Sequence, residues 1–560
     1  MNTSDHFAAA ELARLCYTKG VRHAVISPGS RSAPLVISFT RQEGIQCLQV
    51  IDERSAAFFA MGMAQQLHAP VALICTSGSA VLNYGPAIAE AYYQRIPLLV
   101  ITADRPEEWV DQGEGQAIRQ QGVLALHMKR SVQLPRDAHD ELARWHCGRT
   151  INEAIDATLL PVPGPVHVNV PFAEPLYGRA ASTKASRSIA QVMTESFILP
   201  EHARWLIASM SHSKKVMVLV GQGEWSAGLL QQVRQLAALP QVTVMVEATS
   251  NLEDTSFINC IDRAIEGVND TNSADLKPDL LITFGGAVVS KRVKGLLRNW
   301  KPAQHWNIDA AQRHYDTYQS LTHDISVSPE IFFAQIAASV KPSESIYGEV
   351  WRMIDERLRE KHRAILKNAP WCDLLASETI LQHIPEGSDV HLANSTPARY
   401  AQLFDRKSGL RWFSNRGTSG IDGCTSTAVG SAHASQRPTT LISGDTAFIY
   451  DSNAFWNAHL SPHLRVIVLD NGGGNIFRYI EGPDQDPALL PWFEAPHGRD
   501  PLALVHSFGL PCREANDVKS LSEGLTWLYG KHEKPAVLVV RTDGEVSPKV
   551  LRDYFKHLRT

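Results

Sequence analysis

One stretch of this sequence, residues 444–477, restricts the possible folds of the chain more than any other. Two apolar runs in and around it, residues 440–443 and 465–469, have the length of buried β-strands. Residues 451–460 between them can form the crossover helix that two parallel strands require. The pattern therefore predicts a βαβ unit, whose strands end at the same edge of an open α/β sheet, where ligands bind.

Polar residues directly follow both predicted strands. Asp445 follows the first, Asn471 follows the second, and the consecutive glycines 472–474 come next. An aspartate at a strand end commonly caps the next helix, and this is the alternative for each polar residue taken alone. Consecutive glycines lose much conformational entropy on folding, so they indicate a close backbone approach or positive φ. Oxygen ligands beside exposed backbone suit Mg²⁺ shared with a diphosphate, so the sequence predicts a metal–diphosphate site and a cofactor enzyme.

The rest of the chain repeats this alternation of strands and helices. Short runs rich in Val, Ile and Leu alternate with amphipathic stretches, as in parallel sheets that helices cover on both faces. The 560 residues exceed what one core supports, and two polar stretches, 179–188 and 339–347, divide them. We therefore predict an α/β protein with three doubly wound parallel-sheet domains, at residues 1–180, 189–340 and 346–560.

Composition argues against several classes of partner. The net charge is −4 and no run of Lys or Arg exceeds two residues, so neither nucleic acid nor a membrane is an expected partner. The apolar runs are too short to span a bilayer, and residues 1–6 are polar, unlike a secretory signal. Eight cysteines without CxxC spacing fit reduced thiols, so we expect a cytoplasmic protein.

The predicted metal–diphosphate motif is similar to a known signature. Gly444-Asp445 followed by Asp470-Asn471 resembles the GDG…NN signature of thiamine-diphosphate enzymes. Thr446 and Asp470 depart from that signature, standing where it has Gly and Asn. The resemblance implies thiamine diphosphate as cofactor, with Mg²⁺ (or Mn²⁺) bound by Asp445, Asn471 and the carbonyl of Gly473.

The same resemblance implies a catalytic glutamate early in the chain. A predicted strand, residues 48–51, is followed by Glu53 at the start of a helix. In this superfamily such a glutamate hydrogen-bonds N1′ of the cofactor pyrimidine, and the cofactor itself supplies the carbanion chemistry. The alternative is an acidic first-turn residue that interacts with the helix dipole.

Longer strings narrow the resemblance to one family, the 2-succinyl-5-enolpyruvyl-6-hydroxy-3-cyclohexene-1-carboxylate synthases of menaquinone biosynthesis. The matching strings include ISPGSRSAPL at 26–35, IDERSAAFFAMG at 51–62, CTSGSAVLNYGPAIAEA at 75–91, ITADRP at 101–106, GQAIRQ at 115–120, PFAEPLYG at 171–178 and SNRGTSGIDG at 414–423. The resemblance implies decarboxylation of 2-oxoglutarate and addition of the product to isochorismate. It also implies a homodimer or a dimer of dimers, with active sites between subunits.

Both implied substrates are dicarboxylates, so fixed cations must offset their mutual repulsion. Arginine suits this role because its guanidinium binds carboxylates in a bidentate manner. Solvated surface cations are the alternative. The residues expected to bind substrate are Ser30, Arg31, Arg105, Gln116, Lys291, Arg292, Arg399 and Arg416. Further cofactor contacts are implied for Ser395, Ile421, Asn475, Ile476 and Phe477, and an ordinary core position is the alternative for the three apolar ones.

Rival functions are open at this stage. The nearest is another thiamine-diphosphate decarboxylase or carboligase, such as an acetolactate synthase-like enzyme acting on pyruvate, which has only one carboxylate to match so many cations. A nicotinamide or flavin oxidoreductase would use the glycines around Gln222, but Ser226 stands at the third glycine position of GxGxxG. A catalytically silent binding protein with the same fold is the third rival.

Overall fold

The computed structural model describes residues 2–136, 138–181, 185–311, 313–479, 482–483, 486 and 488–559. Three parallel β-sheets follow one another along the chain, with helices between their strands. This confirms the predicted fold class of doubly wound α/β sheets. No helix in these ranges is long and apolar enough to cross a membrane.

The first sheet has six parallel strands in the order β3-β2-β4-β5-β7-β6. A separate antiparallel pair joins β1 to β8, which begins the predicted 179–188 linker. The strands are β1 (Thr3–Ser4), β2 (His23–Ile26), β3 (Gln46–Gln49), β4 (Val71–Cys75), β5 (Leu98–Asp104), β6 (Arg130–Gln133), β7 (Val166–Pro171) and β8 (Arg179–Ala180). The helices are α1 (Phe7–Thr18), α2 (Ala33–Arg41), α3 (Glu53–Leu67), α4 (Ser79–Asn83), α5 (Gly85–Gln94) and α6 (Glu141–Ala157).

The middle sheet has five parallel strands in the order β10-β9-β11-β12-β13. These are β9 (Val216–Val220), β10 (Val242–Val246), β11 (Leu280–Phe284), β12 (Gln304–Ile308) and β13 (His323–Ile325). Its helices are α7 (Pro200–His212), α8 (Ala227–Ala237), α9 (Ile261–Ala264), α10 (Ser273–Leu276), α11 (Lys291–Trp300) and α12 (Pro329–Ile336).

The last sheet again has six parallel strands, in the order β15-β14-β16-β17-β19-β18. These are β14 (Asp389–Leu392), β15 (Arg411–Ser414), β16 (Thr439–Gly444), β17 (Leu464–Asp470), β18 (Cys512–Ala515) and β19 (Ala536–Arg541). The helices are α13 (Tyr347–Lys367), α14 (Asp373–His383), α15 (Thr396–Tyr400), α16 (Cys424–Ser435), α17 (Asp445–Tyr450), α18 (Leu490–Glu494), α19 (Pro501–Ser507), α20 (Val518–Leu528) and α21 (Val546–Arg559).

The central strands of each sheet are Val-, Ile- and Leu-rich because helices bury both of their faces. Every residue of β9, β10 and β11 is buried, for example. In the last sheet β16 and β17 pair in parallel, with Gly444 opposite Leu469. Asp445, directly after β16, and Asp470–Asn471, at the end of β17, therefore emerge side by side at one edge.

The crossover between β16 and β17 differs from the predicted one. A helix over 451–460 is wrong, because α17 begins at Asp445 and ends at Tyr450, and a 3₁₀ turn over Ser452–Phe455 follows. Asp451 is fully buried, and its carboxylate accepts hydrogen bonds from the amide and hydroxyl of Ser426. These bonds tie residue 451 to α16, so the chain turns there instead of continuing as a helix.

Helices α3 and α16 join the first and last sheets within one chain. A Cβ on Gly62 would lie 2.1 Å from the carbonyl oxygen of Thr427, and one on Gly430 would lie 2.0 Å from that of Phe59. Glycine is therefore required at both positions for the two helices to approach so closely. This contact packs α3, beside the first sheet, directly against α16, beside the last.

Candidate active site

Asp445 is the centre of the predicted metal end of the site. It is buried, and its Oδ2 accepts hydrogen bonds from the amides of Asn471, Gly472 and Gly473 at 3.2, 2.8 and 2.9 Å. Its Oδ1 accepts from the amide and hydroxyl of Thr446 at 2.5 and 3.1 Å. The structure thus brings together the three residues predicted as metal ligands, Asp445, Asn471 and Gly473.

The side chain of Asn471 has a defined orientation. Its Nδ2 donates to Oδ2 of Asp373 at 2.9 Å, and no donor among the described residues reaches its Oδ1. Asp373 is fully buried and also accepts from the hydroxyl of Thr542. The amide of Asn471 therefore presents its oxygen, the atom a metal would need, away from Asp373.

The backbone at Gly473 suits close approach. Its φ is 153°, and a Cβ there would lie 2.8 Å from the carbonyl oxygen of Glu494. The Gly473 carbonyl accepts the amide of Asn475 at 2.9 Å and has a second lone pair available. Asn475 is buried, and its Nδ2 donates to the carbonyl of Asn471 at 3.0 Å.

Two further side chains adjoin Asp445. Ligand atoms of Asp445, Asp470 and His497 all lie within 4.8 Å of one another. Burial, and then the charge of Asp445, raise the pKa of Asp470 to about 6. Arg541 donates to Asp470 at 2.7 Å and offsets part of this charge.

His497 faces Asp445 with its Nε2, 3.4 Å from Oδ2. Its Nδ1 accepts the amide of Arg499 at 2.9 Å, so Nε2 of the neutral ring carries the proton. In this tautomer the Nε2–H of His497 faces Asp445 without forming a hydrogen bond to it, and Nε2 has no lone pair free for a metal.

This donor set fits a divalent cation. Asp445, Asp470 and Asp373 are buried carboxylates close together, and burial raises the pKa of Asp373 and Asp470 because a charge in a low-dielectric interior is costly. A divalent cation would lower that cost, and oxygen atoms are the ligands that Mg²⁺ and Mn²⁺ prefer. A metal ligated by Asp445 would replace some of the hydrogen bonds that its carboxylate now accepts.

Glu53 is the first residue of α3 and is half-buried. No hydrogen bond to its carboxylate is formed by the described residues, whereas both of its neighbours contact the segment between β16 and β17. Asp52 accepts from Nδ2 of Asn453 at 2.7 Å, and Arg54 donates to the carbonyl of Tyr450 at 2.9 Å. The position of Glu53 in the first turn of α3 also agrees with the alternative, an acidic residue that interacts with the helix dipole.

Arg31 and Arg105 form a first group of predicted substrate-binding cations, beside the first sheet. Arg31 is only 5% exposed, and burial followed by the charge of Arg105 lowers its pKa. Arg31 pairs with Glu174 at 3.1 Å and Arg105 with Glu114 at 3.2 Å. The other predicted residues of this region, Ser30 and Gln116, are exposed.

A second group lies between the middle and last sheets. Burial, and then the charge of Arg416, lower the pKa of Arg399, and Arg292 contributes as well. Arg416 donates to Oδ1 of Asn394 at 2.8 Å, and no described residue accepts from its Nε. Arg292 pairs with Glu266 and lies 3.6 Å from the centre of the Phe555 ring. Lys291, next to it, is exposed.

Backbone strain coincides with two predicted site residues. Ser395 has φ 78° and ψ −129°, a region that normally only glycine occupies, and Gln116 has φ 57°. Asn394, before Ser395, donates to the carbonyls of Asn415 and Gly420, both at 2.6 Å. Strain of this kind costs free energy and clusters at functional sites, because only the surrounding contacts maintain it.

The predicted apolar cofactor contacts lie around this edge of the last sheet. Ile421 is partly buried against a small cluster of Ala393, Cys424 and Ala447. Ile476 and Phe477 belong to a 3₁₀ turn over Asn475–Arg478, and the Phe477 ring centre is 5.4 Å from that of Phe493.

Sequence reasoning missed several residues of this site. Asp373 and His497 contact the predicted ligands from segments far away in the chain, and nothing in their local sequence marks them. Asp470 was noticed only as a departure from a signature. The position of Asp470 could have indicated its role, since Asp470 and Asp445 lie at the ends of adjacent parallel strands.

Two family models match the chain. The N-terminal thiamine pyrophosphate-binding domain of thiamine pyrophosphate enzymes matches residues 7–123, and the C-terminal thiamine pyrophosphate-binding domain matches residues 395–540. The first match contains Glu53, and the second contains Asp445 and Asn471.

Curated relatives match along the whole chain. A 2-succinyl-5-enolpyruvyl-6-hydroxy-3-cyclohexene-1-carboxylate synthase of Flavobacterium psychrophilum is 42% identical over 552 residues, 98% of each chain. The synthases of the same name from Flavobacterium johnsoniae and Porphyromonas gingivalis are 39% and 38% identical, and each alignment covers at least 98% of both chains.

A solved structure shares the fold. The crystal structure of benzoylformate decarboxylase from Polynucleobacter necessarius aligns with a TM-score of 0.72 and covers 98% of this chain and 100% of its own. The two sequences are 15% identical, so this likeness concerns the fold alone.

Proposed function

The chain belongs to the family of 2-succinyl-5-enolpyruvyl-6-hydroxy-3-cyclohexene-1-carboxylate synthases, and on that premise we propose which of its residues carry the reaction. It is a thiamine-diphosphate-dependent transferase of menaquinone biosynthesis that joins 2-oxoglutarate, with loss of CO₂, to isochorismate. Identity of 42% over 98% of both chains is the observation that carries this function.

We assign the metal and diphosphate to the last domain, residues 346–560, and the cofactor pyrimidine to residues 1–180. Asp445, the side-chain oxygen of Asn471 and the carbonyl of Gly473 would hold Mg²⁺ or Mn²⁺. When bound, thiamine diphosphate would supply the cationic ring that stabilises the negative charge left by decarboxylation. Its further contacts are assigned to Ser395, Ile421, Asn475, Ile476 and Phe477.

Glu53 is the proposed catalytic residue. Its carboxyl group would share a proton with N1′ of the pyrimidine. Two features support this role: its position at the carboxyl edge of the first sheet, and a carboxylate that no described residue hydrogen-bonds. An acid satisfied within its own chain would be less available for such a contact.

The two groups of cations are proposed to hold the two dicarboxylates. Arg31 and Arg105, with Ser30 and Gln116, form one half of the substrate site. Lys291, Arg292, Arg399 and Arg416 form the other. Each charged hydrogen bond that they make contributes about 1.5–3 kcal/mol, so four to six of them suffice for two dianions. Three of these arginines now pair with protein carboxylates that a substrate would have to displace.

We also propose a homodimer or a dimer of dimers, with each site built from two subunits. The residues assigned to the pyrimidine and to the diphosphate lie in different domains, and so do the two groups of cations. Sedimentation of the active protein tests this: a monomer that is fully active at its assay concentration would contradict it. A cytosolic location stays a prediction, and the eight unpaired cysteines support it.

One assay tests the reaction and its nearest rival together. The protein is incubated with thiamine diphosphate, Mg²⁺ and 2-oxoglutarate, and isochorismate absorbance is then followed. We expect it to fall only when every component is present, and not when pyruvate replaces 2-oxoglutarate. Consumption of pyruvate alone would instead favour an acetolactate synthase-like enzyme.

A further inference from the structure

Glu90 is a buried carboxylate that the reaction so far leaves without a role. It lies in the middle of α5, in the first domain, and is 1% exposed. Its two oxygens accept hydrogen bonds from the amide of Gly417 at 2.6 Å and from the amide and hydroxyl of Thr418 at 2.7 and 2.6 Å. Both partners belong to the loop after β15, in the last domain.

That loop lies directly on α5. A Cβ on Gly417 would be 2.7 Å from the carbonyl oxygen of Glu90 and 3.0 Å from Cβ of Tyr93. A larger residue would therefore displace the loop from the helix. The loop immediately follows Arg416, one of the proposed substrate-binding cations.

A side-chain network connects Glu90 to all three domains. Gln94, one turn further along α5, donates to Glu90 at 2.5 Å and accepts from Nε2 of Gln222 at 2.9 Å. Gln222 also donates to the carbonyl of Ser414 at 3.0 Å. The Gly-Gln-Gly motif of the middle domain, considered above as a dinucleotide signature, thus contributes its glutamine to this junction.

Glu90 affects Arg416 in two ways, through its negative charge and through the hydrogen bonds that it accepts from the loop. Burial lowers the pKa of Arg416, and the negative charges of Glu247 and Glu90 act in the opposite direction. Arg416 has a single side-chain hydrogen-bond partner among the described residues, Asn394. The orientation of its guanidinium therefore depends strongly on the course of the loop backbone.

We propose that Glu90 is a positioning residue, which holds the loop 416–418 on α5 so that Arg416 faces a substrate carboxylate. The proposal rests on the proposed substrate-binding role of Arg416. A carboxylate is needed because it accepts from two consecutive amides and a hydroxyl at once. A glutamine would offer one acceptor and would place its own N–H groups against a backbone N–H.

The test compares three variants by steady-state kinetics with both substrates. Glu90→Gln should raise the KM of at least one dicarboxylate substrate about tenfold, the factor that loss of one charged hydrogen bond produces. Its kcat should change less than about twofold, and its affinity for Mn²⁺ should not change. Arg416→Lys should raise the KM of the same substrate.

Glu11→Gln is the matched control. Glu11 is also a buried glutamate of the first domain, 4% exposed, and it bonds Arg14 and the amide of Ser186, away from this loop. Its substitution should lower thermal stability and leave both KM values unchanged. A purely structural role for Glu90 would make Glu90→Gln behave in the same way, and that result would overturn the proposal.

Failure of this proposal and failure of the substrate assignment are distinguishable. If Arg416→Lys raises a KM and Glu90→Gln does not, only the positioning role is wrong. If neither variant changes a KM, the assignment of Arg416 is wrong and the proposal falls with it. Should Glu90→Gln not fold, Gly417→Ala decides, because its Cβ lifts the same loop: an unchanged KM in that variant overturns the proposal.

Discussion

The first and last sheets have the same topology and different chemistry. In both, the spatial order of the six parallel strands is second, first, third, fourth, sixth, fifth. In the last sheet Asp445 follows the third strand, and the fourth strand ends at Asp470 before Asn471. In the first sheet Thr76 follows the third strand, and the fourth strand ends at Asp104 before Arg105. One topology thus carries the proposed metal ligands in the last sheet and different residues in the first, so the residues at the strand ends decide the function.

The aspartates that end the two fourth strands show the difference most directly. Burial raises the pKa of both. Asp104 accepts from Nδ2 of Asn169 at 2.7 Å and the amide of Arg105 at 2.8 Å, so its own domain satisfies it. Asp470 lies against a second carboxylate, Asp445, and this pair is the one that suits a cation.

The largest expected effect is a loss of Mn²⁺ affinity, which should follow a change at the edge of the last sheet and not a change at the edge of the first. Asp445→Ala should reduce Mn²⁺ affinity by more than the roughly 10–100-fold that loss of an outer-shell residue costs, and turnover should be lost with it. Electron paramagnetic resonance of bound Mn²⁺ measures the affinity without any substrate. Asp104→Asn, at the position of the first sheet that matches Asp470, should leave the Mn²⁺ affinity unchanged. Equal losses in both variants would contradict the distinction between the two sheets.

Glu53→Gln tests the contribution of the first sheet to catalysis. Turnover should fall roughly 10²–10⁴-fold, since a positioned proton-sharing group contributes about that much, while Mn²⁺ affinity stays at the wild-type value. Initial rates of isochorismate loss and the Mn²⁺ titration measure the two quantities. Glu43→Gln, an exposed glutamate of the same domain, is the control. Unchanged turnover in Glu53→Gln would remove this residue from its proposed role.

Asp373→Asn addresses the residue that orients a predicted ligand. Mn²⁺ affinity should fall about 10–100-fold, because a neutral amide with one acceptor replaces the carboxylate that binds both Asn471 and Thr542 and fixes the amide of Asn471. The control is Asp389→Asn, a fully buried aspartate in β14 that pairs with Arg411 instead. That variant should be less stable but bind Mn²⁺ normally. If both variants bind Mn²⁺ equally well, Asp373 does not position Asn471.

The smallest expected effect compares two helix starts. Ser395 and Gly78 precede short helices in the last and first domains with nearly the same backbone, φ 78° and ψ −129° against φ 86° and ψ −139°. Ser395→Gly should raise the free energy of unfolding by about 1 kcal/mol, because glycine relieves the strain, and should lower activity.

Gly78→Ser is the reciprocal change and should lower that free energy by about 1–3 kcal/mol. Urea denaturation of both variants measures the difference. A stabilised Ser395→Gly variant with full activity would show that the strain at Ser395 serves no function.

The sequence was sufficient to predict the architecture and to predict that Asp445 and Asn471 lie together. Strands buried on both faces must be apolar throughout, so runs such as 216–220 could be recognised without a structure. Parallel strands must also end at one edge, so Asp445 and Asn471 could be expected to lie together from their positions alone. The crossover helix was wrong, because the burial of Asp451 against α16 depends on a contact that local periodicity does not encode.

Only the tertiary structure could reveal Asp373, His497 and Glu90 as neighbours of the predicted site residues. Each reaches its partner from a remote segment of the chain, and Glu90 from another domain. Local patterns record which backbone conformation a segment prefers and which face it buries. Contacts between distant segments depend instead on how helices and loops pack over the sheets, which is decided only when the whole chain has folded.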